Sequence, residues 1–323
     1  GIGAVEITPI YGVQGNGQNN IEYLNDEWME MLRYTQEQCR QNGIEPDMAT
    51  GTGWPFGGPW VPLEESACRA VFVEKEMADV IDLSLSEKDA KLSEKDAKNA
   101  VLDKVMLYCD TVAIDVTDKV KDGKLILKSL TSHLSPLTPQ KVIALYIKYG
   151  VMKVKRAAPG GEGLVVDHFD KDAVAHYLKH ISDAFERTQT PYPHTFFNDS
   201  YEVEAATWTP KLFEEFEKRR GYKLQDHLPE LLEQDGGGAV LSDYRETLGD
   251  LILENFTEQW TAWAHSHGAV TRNQAHGSPA NLIDCYAAVD IPEIEGFGLS
   301  DLGIKDLRTD PGKTRKNDSD YST

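Results

Sequence analysis

The chain has few cysteines, and their spacing matches no common cysteine motif. Only four occur in 323 residues, Cys39, Cys68, Cys109 and Cys285, and no two of them form a Cys-x-x-Cys pair. Zinc sites and redox motifs use closely spaced pairs, and disulfide frameworks use many cysteines in a short chain. The sequence therefore disfavours a zinc site and a disulfide framework, and we expect four buried thiols.

A long hydrophobic run is also missing. No apolar stretch approaches the length of about 20 residues that a transmembrane helix needs. The chain starts with Gly1-Ile2-Gly3 in place of a methionine and a signal peptide. Such a start is expected of a mature, trimmed or partial chain, so the residues alone assign no compartment.

Basic residues are scarce as well. Lys and Arg number 33 against 53 Asp and Glu, which gives a formal net charge of −20. That charge repels phosphate backbones and disfavours nucleic acid as a ligand, whereas neutral sugars and cations are compatible with it. The rest of the composition, 40% hydrophobic and 27% charged, is typical of a globular protein.

Short β-type runs alternate with helical patterns along much of the chain. The five runs lie at residues 5–10, 47–50, 195–199, 269–274 and 289–294. Alternation of strand and helix predicts a parallel sheet, and the length suits one (β/α)8 TIM-type barrel of roughly 250 residues with an insertion. Because five strands are fewer than eight, we expect either an incomplete barrel in this chain or strands that the pattern does not reveal.

The stretch 68–157 has a different character. Alternating and β-branched runs separated by Asp-Gly and Pro turns indicate antiparallel strands. We therefore predict barrel segments at 1–67 and 158–323, with a β-rich subdomain inserted between them. Within the insertion, the heptad that starts at Leu85 is repeated verbatim from Leu92. One Leu per heptad is too little for a coiled coil, so a solvated helix or a local duplication is expected.

The most informative stretch is Phe196-Phe197-Asn198-Asp199-Ser200-Tyr201-Glu202-Val203-Glu204. Two aromatic residues run directly into amide, hydroxyl and carboxylate side chains. This pattern predicts a short buried strand whose carboxyl end opens into a site, which is where an α/β barrel places its catalytic residues.

Two further strand ends carry polar groups, Arg272-Asn273-Gln274-Ala275-His276 and Asp290-Ile291-Pro292-Glu293-Ile294-Glu295. Glycoside hydrolysis needs one carboxylic acid to protonate the leaving oxygen and one carboxylate as base or nucleophile. Glu202, paired with Glu293 or Glu295, meets that need, although acids on loops of so acidic a chain are commonly only solvated. His276 is open to three interpretations, namely binding a sugar hydroxyl, orienting a carboxylate or capping the next helix.

Glycines and aromatic residues are interleaved between Gly51 and Trp60. One interpretation is a loop that lays Trp54 and Trp60 against the flat face of a sugar. The other is a rigid turn whose rings close one end of the barrel. The clustered acids also suit a hard cation such as calcium, although no EF-hand loop is present.

Several of these motifs together resemble glycoside hydrolase family 106, the α-L-rhamnosidases of mostly bacterial, plant-polysaccharide-degrading origin. Four stretches carry the resemblance. The first starts at Asp47 and reads Asp-Met-Ala-Thr-Gly-Thr-Gly-Trp-Pro-Phe-Gly-Gly-Pro, and the second starts at Asn198 and reads Asn-Asp-Ser-Tyr-Glu. The third starts at Arg272 and reads Arg-Asn-Gln-Ala-His-Gly, and the fourth starts at Asp290 and reads Asp-Ile-Pro-Glu-Ile-Glu-Gly. The resemblance covers nearly the whole chain and is least close over 70–155. It implies a (β/α)8 catalytic barrel, an inverting mechanism, a calcium ion, a rhamnose-containing glycan as substrate, and a periplasmic or extracellular location.

Carried over residue by residue, the resemblance implies a general acid at Glu202. Glu293 or Glu295 would serve the cation or the catalytic base, and Asp199 and Glu293 would bind the metal. Beyond this carry-over, our own interpretation of the strand ends and of the glycine-rich loop predicts substrate binding by Trp54, Trp60, Asn198, Asp199, Arg272, Asn273, Gln274 and His276. No protein partner, membrane or nucleic acid is implied.

The sequence departs from the family's pattern at its ends. Family members carry a strand and helix before the position of Gly1, have large β-sandwich modules elsewhere, and continue past Thr323 to a further glutamate. The base is therefore expected at Glu293, at Glu295 or beyond Thr323. Two alternatives stay open, a non-catalytic carbohydrate-binding protein on a partial barrel and a barrel glycosidase for another sugar.

Overall fold

The computed structural model describes residues 1–85, 99–110, 112–128, 137–233 and 238–294. The second heptad and most of the first, Glu295 and the residues after it lie outside the described residues. The strands are β1 (Ala4–Ile7), β2 (Glu45–Ala49), β3 (Gly57–Gly58), β4 (Cys68–Lys75), β5 (Val80–Asp82), β6 (Ala100–Cys109), β7 (Val112–Asp115), β8 (Lys124–Ile126), β9 (Pro139–Tyr149), β10 (Leu164–Val165), β11 (Thr195–Asn198), β12 (Val270–Asn273) and β13 (Ile291–Pro292).

The α-helices are α1 (Asp26–Gln41), α2 (Lys171–Thr188), α3 (Leu212–Arg220), α4 (Leu228–Leu231), α5 (Gly238–Leu251), α6 (Gln259–Ser266) and α7 (Leu282–Ala287). A π-helical stretch, Ile252–Glu258, joins α5 to α6. Side chains cap the first two helices, because Asn25 accepts from the Trp28 amide at 2.8 Å and Asp170 accepts from Asp172. Among the described residues, no helix is long and apolar enough to cross a membrane.

The central sheet has the order β1-β2-β11-β12-β13, and every pairing in it is parallel. The five predicted strands are thus confirmed, and they follow one another around the sheet in chain order. In the described part of the chain, β1 and β13 each pair on one side only, so the sheet does not close. The architecture is mixed α/β, and the complete (β/α)8 barrel stays a prediction.

One face of this sheet packs against helices. Met48 of β2 and Phe196 of β11 are fully buried there, in a cluster with Tyr177, Ile181 and Trp260 of α2 and α6. Because side chains alternate between the two faces of a strand, Phe197 and its register partner Arg272 lie on the other face. Glu6 and its register partner Asp47 lie on that same face. We call this second side, defined by Glu6, Asp47, Phe197 and Arg272, the charged face.

The insertion forms a second, antiparallel sheet of order β4-β9-β6-β7, with β5 and β8 paired beside it. All of these strands lie within the predicted stretch 68–157, and their antiparallel pairing is confirmed. Gly57 and Gly58 pair with Val165 and Leu164, so the chain leaves and re-enters the central fold at adjacent points. All four cysteines are buried as free thiols.

Candidate active site

The loop after β11 contains the predicted general acid. Ser200 organises it, because its amide donates to Asp199 Oδ1 at 2.7 Å and its hydroxyl lies 3.3 Å from the same oxygen and 3.2 Å from Glu202 Oε1. A hydroxyl has one proton to donate, so Ser200 Oγ donates to one of these two carboxylates at a time. Asp199 and Glu202 are therefore held side by side at the carboxyl end of a central strand.

The other oxygen of Glu202 accepts from two donors that come from distant parts of the chain. Lys155 Nζ lies 2.7 Å and Trp54 Nε1 lies 3.3 Å from Glu202 Oε2. The hydrogen bond from Lys155 is the main reason that the pKa of Glu202 lies below its ordinary value. Lys155 also lies 3.3 Å from Glu204, whose side chain is 81% exposed. The carboxylate of Glu202 is thus ionised and well supplied with donors in this arrangement.

Trp54 and Lys155 reach Glu202 together because their backbones pair. The Trp54 amide donates to the Lys155 carbonyl at 3.2 Å, and the Lys155 amide donates back at 2.8 Å. Gly53 is required beside them, since it has φ of +67° and a Cβ there would lie 2.0 Å from the Lys155 carbonyl oxygen. Trp54 therefore stands beside the predicted acid, and its contact with a sugar stays a prediction.

Trp60 lies elsewhere. Its ring stacks on His180 of α2 at 4.2 Å and packs against Tyr23 and Tyr177 among the helices. The structure brings Trp54 and Glu202 together and leaves Trp60 outside that group.

The loop after β12 is fastened to the Glu202 loop. The Tyr201 amide donates to the His276 carbonyl at 2.7 Å, and Gly277 follows with φ of +83°. A Cβ at Gly277 would lie 2.3 Å from the Tyr201 carbonyl oxygen, so only glycine permits this approach. His276 is exposed on this loop, close in the fold to Glu202.

Asn198 and Asn273 contact each other inside the protein. Asn198 Nδ2 donates to Asn273 Oδ1 at 2.8 Å, and that oxygen also accepts from the Ala275 amide at 3.1 Å. Both residues are buried, at 6% and 1% exposure. The pair ties β11 to β12, and the contact of these amides with substrate stays a prediction.

Arg272 forms the centre of the charged face. Its guanidinium ion-pairs with Glu6, lies 3.5 Å from Asp47 Oδ2 and 3.0 Å from Glu293 Oε2, and sits 4.5 Å above the Phe197 ring. Gln274 Nε2 donates to the other Glu293 oxygen at 3.0 Å. The predicted residues Arg272, Gln274 and Glu293 therefore form one connected group with Glu6 and Asp47.

These carboxylates do not form a ready cation site. Within the described residues, no three His, Cys, Asp or Glu side chains are grouped as metal ligands. Glu293 has both oxygens engaged by Arg272 and Gln274, and Asp199 Oδ1 is engaged by Ser200. Asp199 and Glu293 as arranged do not fit calcium, and Glu295, the other candidate, lies outside the described residues.

A buried acid and a buried imidazole lie under the Glu202 loop. Burial raises the pKa of Asp167 to about 7 and lowers the pKa of His168 to about 4. The His168 ring meets the Tyr201 ring at 5.2 Å, and Asp167 helps to raise the pKa of Tyr201, whose phenol is buried. These two buried groups therefore lie beneath Tyr201 and support the Glu202 loop from inside the protein.

Sequence reasoning missed three charged contributors, Lys155, Glu6 and Asp47. For Glu6 and Asp47 a signal exists, since each is an acid in a strand-forming run. For Lys155 no local signal exists, because only the pairing with Trp54 brings it to Glu202. A cavity of about 270 Å³ lies between α2 and α3, and none of the predicted site residues lines it.

Comparisons with known proteins support the mixed α/β fold and identify the family. A solved rhamnosidase from Novosphingobium sp. PP1Y is 17% identical to this chain. The structural match covers 90% of this chain and 45% of that chain, with a TM-score of 0.64. The mixed α/β fold is therefore similar to that of the Novosphingobium protein. A Formosa agariphila protein, provisionally named a beta-glucuronidase, is 26% identical over 84% of this chain.

The chain spans 27% of the Formosa protein and 45% of the Novosphingobium chain, so it corresponds to less than half of either. The model of the α-L-rhamnosidase family Glyco_hydro_106 matches residues 83–296, which is more than half of the chain. The match includes Glu202, Arg272, His276 and Glu293. The chain therefore belongs to the α-L-rhamnosidases of glycoside hydrolase family 106.

Proposed function

We propose that this chain carries the catalytic site of a glycoside hydrolase that removes terminal α-L-rhamnosyl groups from plant-type glycans, with inversion. The observation that carries the proposal is the position of Glu202. It stands at the carboxyl end of a central parallel strand, partly exposed, beside an indole and held by three donors. Membership of the family supports the same assignment.

In the proposed reaction, the Glu202 carboxyl gives its proton to the glycosidic oxygen as the bond from that oxygen to the anomeric carbon breaks. A water molecule adds to the anomeric carbon from the opposite face, and its proton passes to a second carboxylate. Glu293 or Glu295 is our candidate for that base. Inversion requires the two carboxyl groups to be roughly 6.5–9.5 Å apart, which leaves space for the water.

Lys155 sets a condition on this mechanism. A general acid must hold a proton, and the hydrogen bond from Lys155 keeps the pKa of Glu202 low. Substrate binding must therefore separate Lys155 from Glu202 before proton transfer. Arg272 and Gln274 would hold the second carboxylate in place, and Trp54 would stack on the sugar.

The ionised state of Glu202 also favours a second candidate, a carbohydrate-binding protein without hydrolytic activity. The two are separated by incubating the protein, in its full encoded length, with aryl α-L-rhamnoside, aryl β-glucuronide and other aryl glycosides. Release of rhamnose, first seen by NMR as the β-anomer, is expected. Retention of the α-anomer would contradict inversion, and binding of rhamnosides without release would favour the second candidate.

Calcium belongs to this proposal only as an expectation of the resemblance. Residues outside the described part would have to contribute to the site, since Asp199 and Glu293 are engaged by other side chains. Dialysis against a chelator followed by the aryl rhamnoside assay tests it. Loss of activity that calcium restores, and magnesium does not, is the expected result.

A further inference from the structure

Lys155 and Arg156 are consecutive cations, and they differ in their partners. Lys155 binds Glu202 and Glu204. The side chain of Arg156 is exposed, and its guanidinium carbon lies 5.1 Å from the centre of the Trp54 ring. Within the described part of the chain, no carboxylate pairs with Arg156. The site thus presents a guanidinium with free donors directly at the indole that contacts the predicted acid.

The backbone fixes this position. The Arg156 carbonyl accepts from the Tyr11 amide at 3.1 Å, and Lys155 pairs in both directions with Trp54. Arg156 itself adopts a left-handed conformation with φ of +51°, which turns the chain sharply after Lys155. Because both residues are held by backbone hydrogen bonds, both side chains project from a fixed stretch of backbone next to Trp54.

We propose that Lys155 and Arg156 bind the carboxylate of a uronic acid in the substrate, next to the bond that Glu202 protonates. This inference rests on the proposed function, and it names the class of substrate as an acidic glycan. A guanidinium matches a carboxylate with two parallel hydrogen bonds, and an ammonium adds a charge-assisted bond.

The high negative charge of the protein does not prevent this recognition. At physiological ionic strength, charges farther away than about 8 Å are largely screened, so the contacts made at the site decide the outcome. The inference also meets the condition that Lys155 imposes. A substrate carboxylate that takes Lys155 as its partner removes the main cause of the low pKa of Glu202, and its own negative charge raises that pKa further.

The test compares two substrates that differ in one group, α-L-rhamnosyl disaccharides with glucuronate or glucose in the leaving position. Binding is measured by calorimetry with thio-linked analogues, which are not hydrolysed, and turnover is measured with the oxygen-linked compounds. The protein is used in its full encoded length. The glucuronate compound is expected to bind about 10- to 100-fold more tightly than the glucose compound, as one or two charge-assisted hydrogen bonds would give.

Arg156→Gln is expected to remove most of this preference, and Arg156→Lys to restore part of it. The matched control is Lys153→Gln, which removes the same charge from an exposed side chain three residues away and is expected to keep the preference. Raising the salt concentration is expected to reduce the preference of the wild type.

Equal binding of the two thio-linked analogues, or a preference that survives Arg156→Gln, would overturn the inference whether or not rhamnosides are cleaved. Cleavage of the rhamnosyl glucose compound, with no tighter binding or faster turnover of the glucuronate compound, would support the proposed function and refute the recognition of a uronic acid. Arg156-dependent cleavage of an aryl β-glucuronide, without cleavage of rhamnosides, would support carboxylate recognition on the cleaved sugar and would refute the rhamnosidase proposal.

Discussion

Arg272 of β12 and Glu6 of β1 form an ion pair although β2 and β11 lie between their strands. Three strand spacings amount to roughly 14 Å on a flat sheet, where parallel side chains so far apart do not meet. The sheet must therefore curve around its charged face, and this face is concave. Curvature in this direction is what a barrel needs, and it brings Glu6, Asp47, Arg272 and Glu293 into contact.

Removal of the Arg272 charge is expected to leave three facing carboxylates without their shared arginine. We predict that Arg272→Met lowers the free energy of unfolding by about 2 kcal/mol at neutral pH, since the group is partly buried. The loss should shrink at high salt, which screens the partly exposed charges. Urea denaturation at low and at high salt concentration measures it, with exposed Arg33→Met as control. An equal loss at both salt concentrations would contradict the electrostatic explanation.

Gly277 is expected to hold the Glu202 loop by permitting the contact with Tyr201. Gly277→Ala introduces a carbon 2.3 Å from the Tyr201 carbonyl oxygen, whereas Gly268→Ala meets no atom within 4 Å. Both positions have positive φ, so each variant should lose about 1 kcal/mol of stability, and Gly277→Ala should lose more because of the added clash. Only Gly277→Ala should also lower kcat on an aryl rhamnoside. Equal kcat in the two variants would refute a role of this contact in placing Glu202.

Asp167 and His168 are expected to oppose each other in the pH dependence of stability. The pKa of Asp167 rises from 3.8 to about 7, so the folded state keeps a proton that the unfolded state loses, and stability falls as pH rises through this range. The pKa of His168 falls from 6.5 to about 4, so its contribution to stability is lost as pH falls from 6.5. Between about pH 4.5 and 6.5 the two contributions change the free energy of unfolding with pH in opposite directions and cancel.

Single variants should expose the two slopes. Between about pH 4.5 and 6.5, the free energy of unfolding of Asp167→Asn should rise with pH by about 1.4 kcal/mol per pH unit. That of His168→Gln should fall with pH by the same amount, while that of the wild type stays nearly constant. Urea midpoints measured every half pH unit give the slopes. Parallel curves for the wild type and both variants would mean that neither group is held neutral.

Lys155 is expected to set the pH at which Glu202 loses its proton. Lys155→Met removes the largest cause of the low pKa of Glu202, so that pKa should rise. If Glu202 is the proton donor, the high-pH limb of kcat/KM on an aryl rhamnoside should move to higher pH. Exposed Lys153→Met should leave the limb in place. A limb that does not move in Lys155→Met would assign it to another group.

The sequence indicated the central strands most clearly at β11, a short and fully buried run that ends in polar residues. It was less informative about which way those residues face. Asn198 follows Phe196 by two positions, so the alternation of a strand places both on the side of the helices, where Asn198 binds Asn273. Arg272 shares the side of its register partner Phe197 and reaches the charged face.

Contacts between distant segments could not be derived from local pattern. Lys155 precedes Glu202 by 47 positions and reaches it through backbone pairing with Trp54, which leaves no periodic signal. Asn25 as the cap of α1 was readable, because capping depends only on the next few residues. The buried face of α1 is harder to derive from local pattern, since Met31 is 44% exposed although it directly precedes the buried Leu32.

The most direct measurement compares Glu202→Gln with Glu204→Gln in the full encoded length, using an aryl α-L-rhamnoside with a poor leaving group. Both glutamates contact Lys155, and both variants remove one negative charge from the same loop. We predict that Glu202→Gln lowers kcat by about 100- to 10,000-fold with little change in KM, and that Glu204→Gln stays within about tenfold of wild type. Near-full activity of Glu202→Gln, or equal losses in the two variants, would contradict the assignment of Glu202 as the general acid.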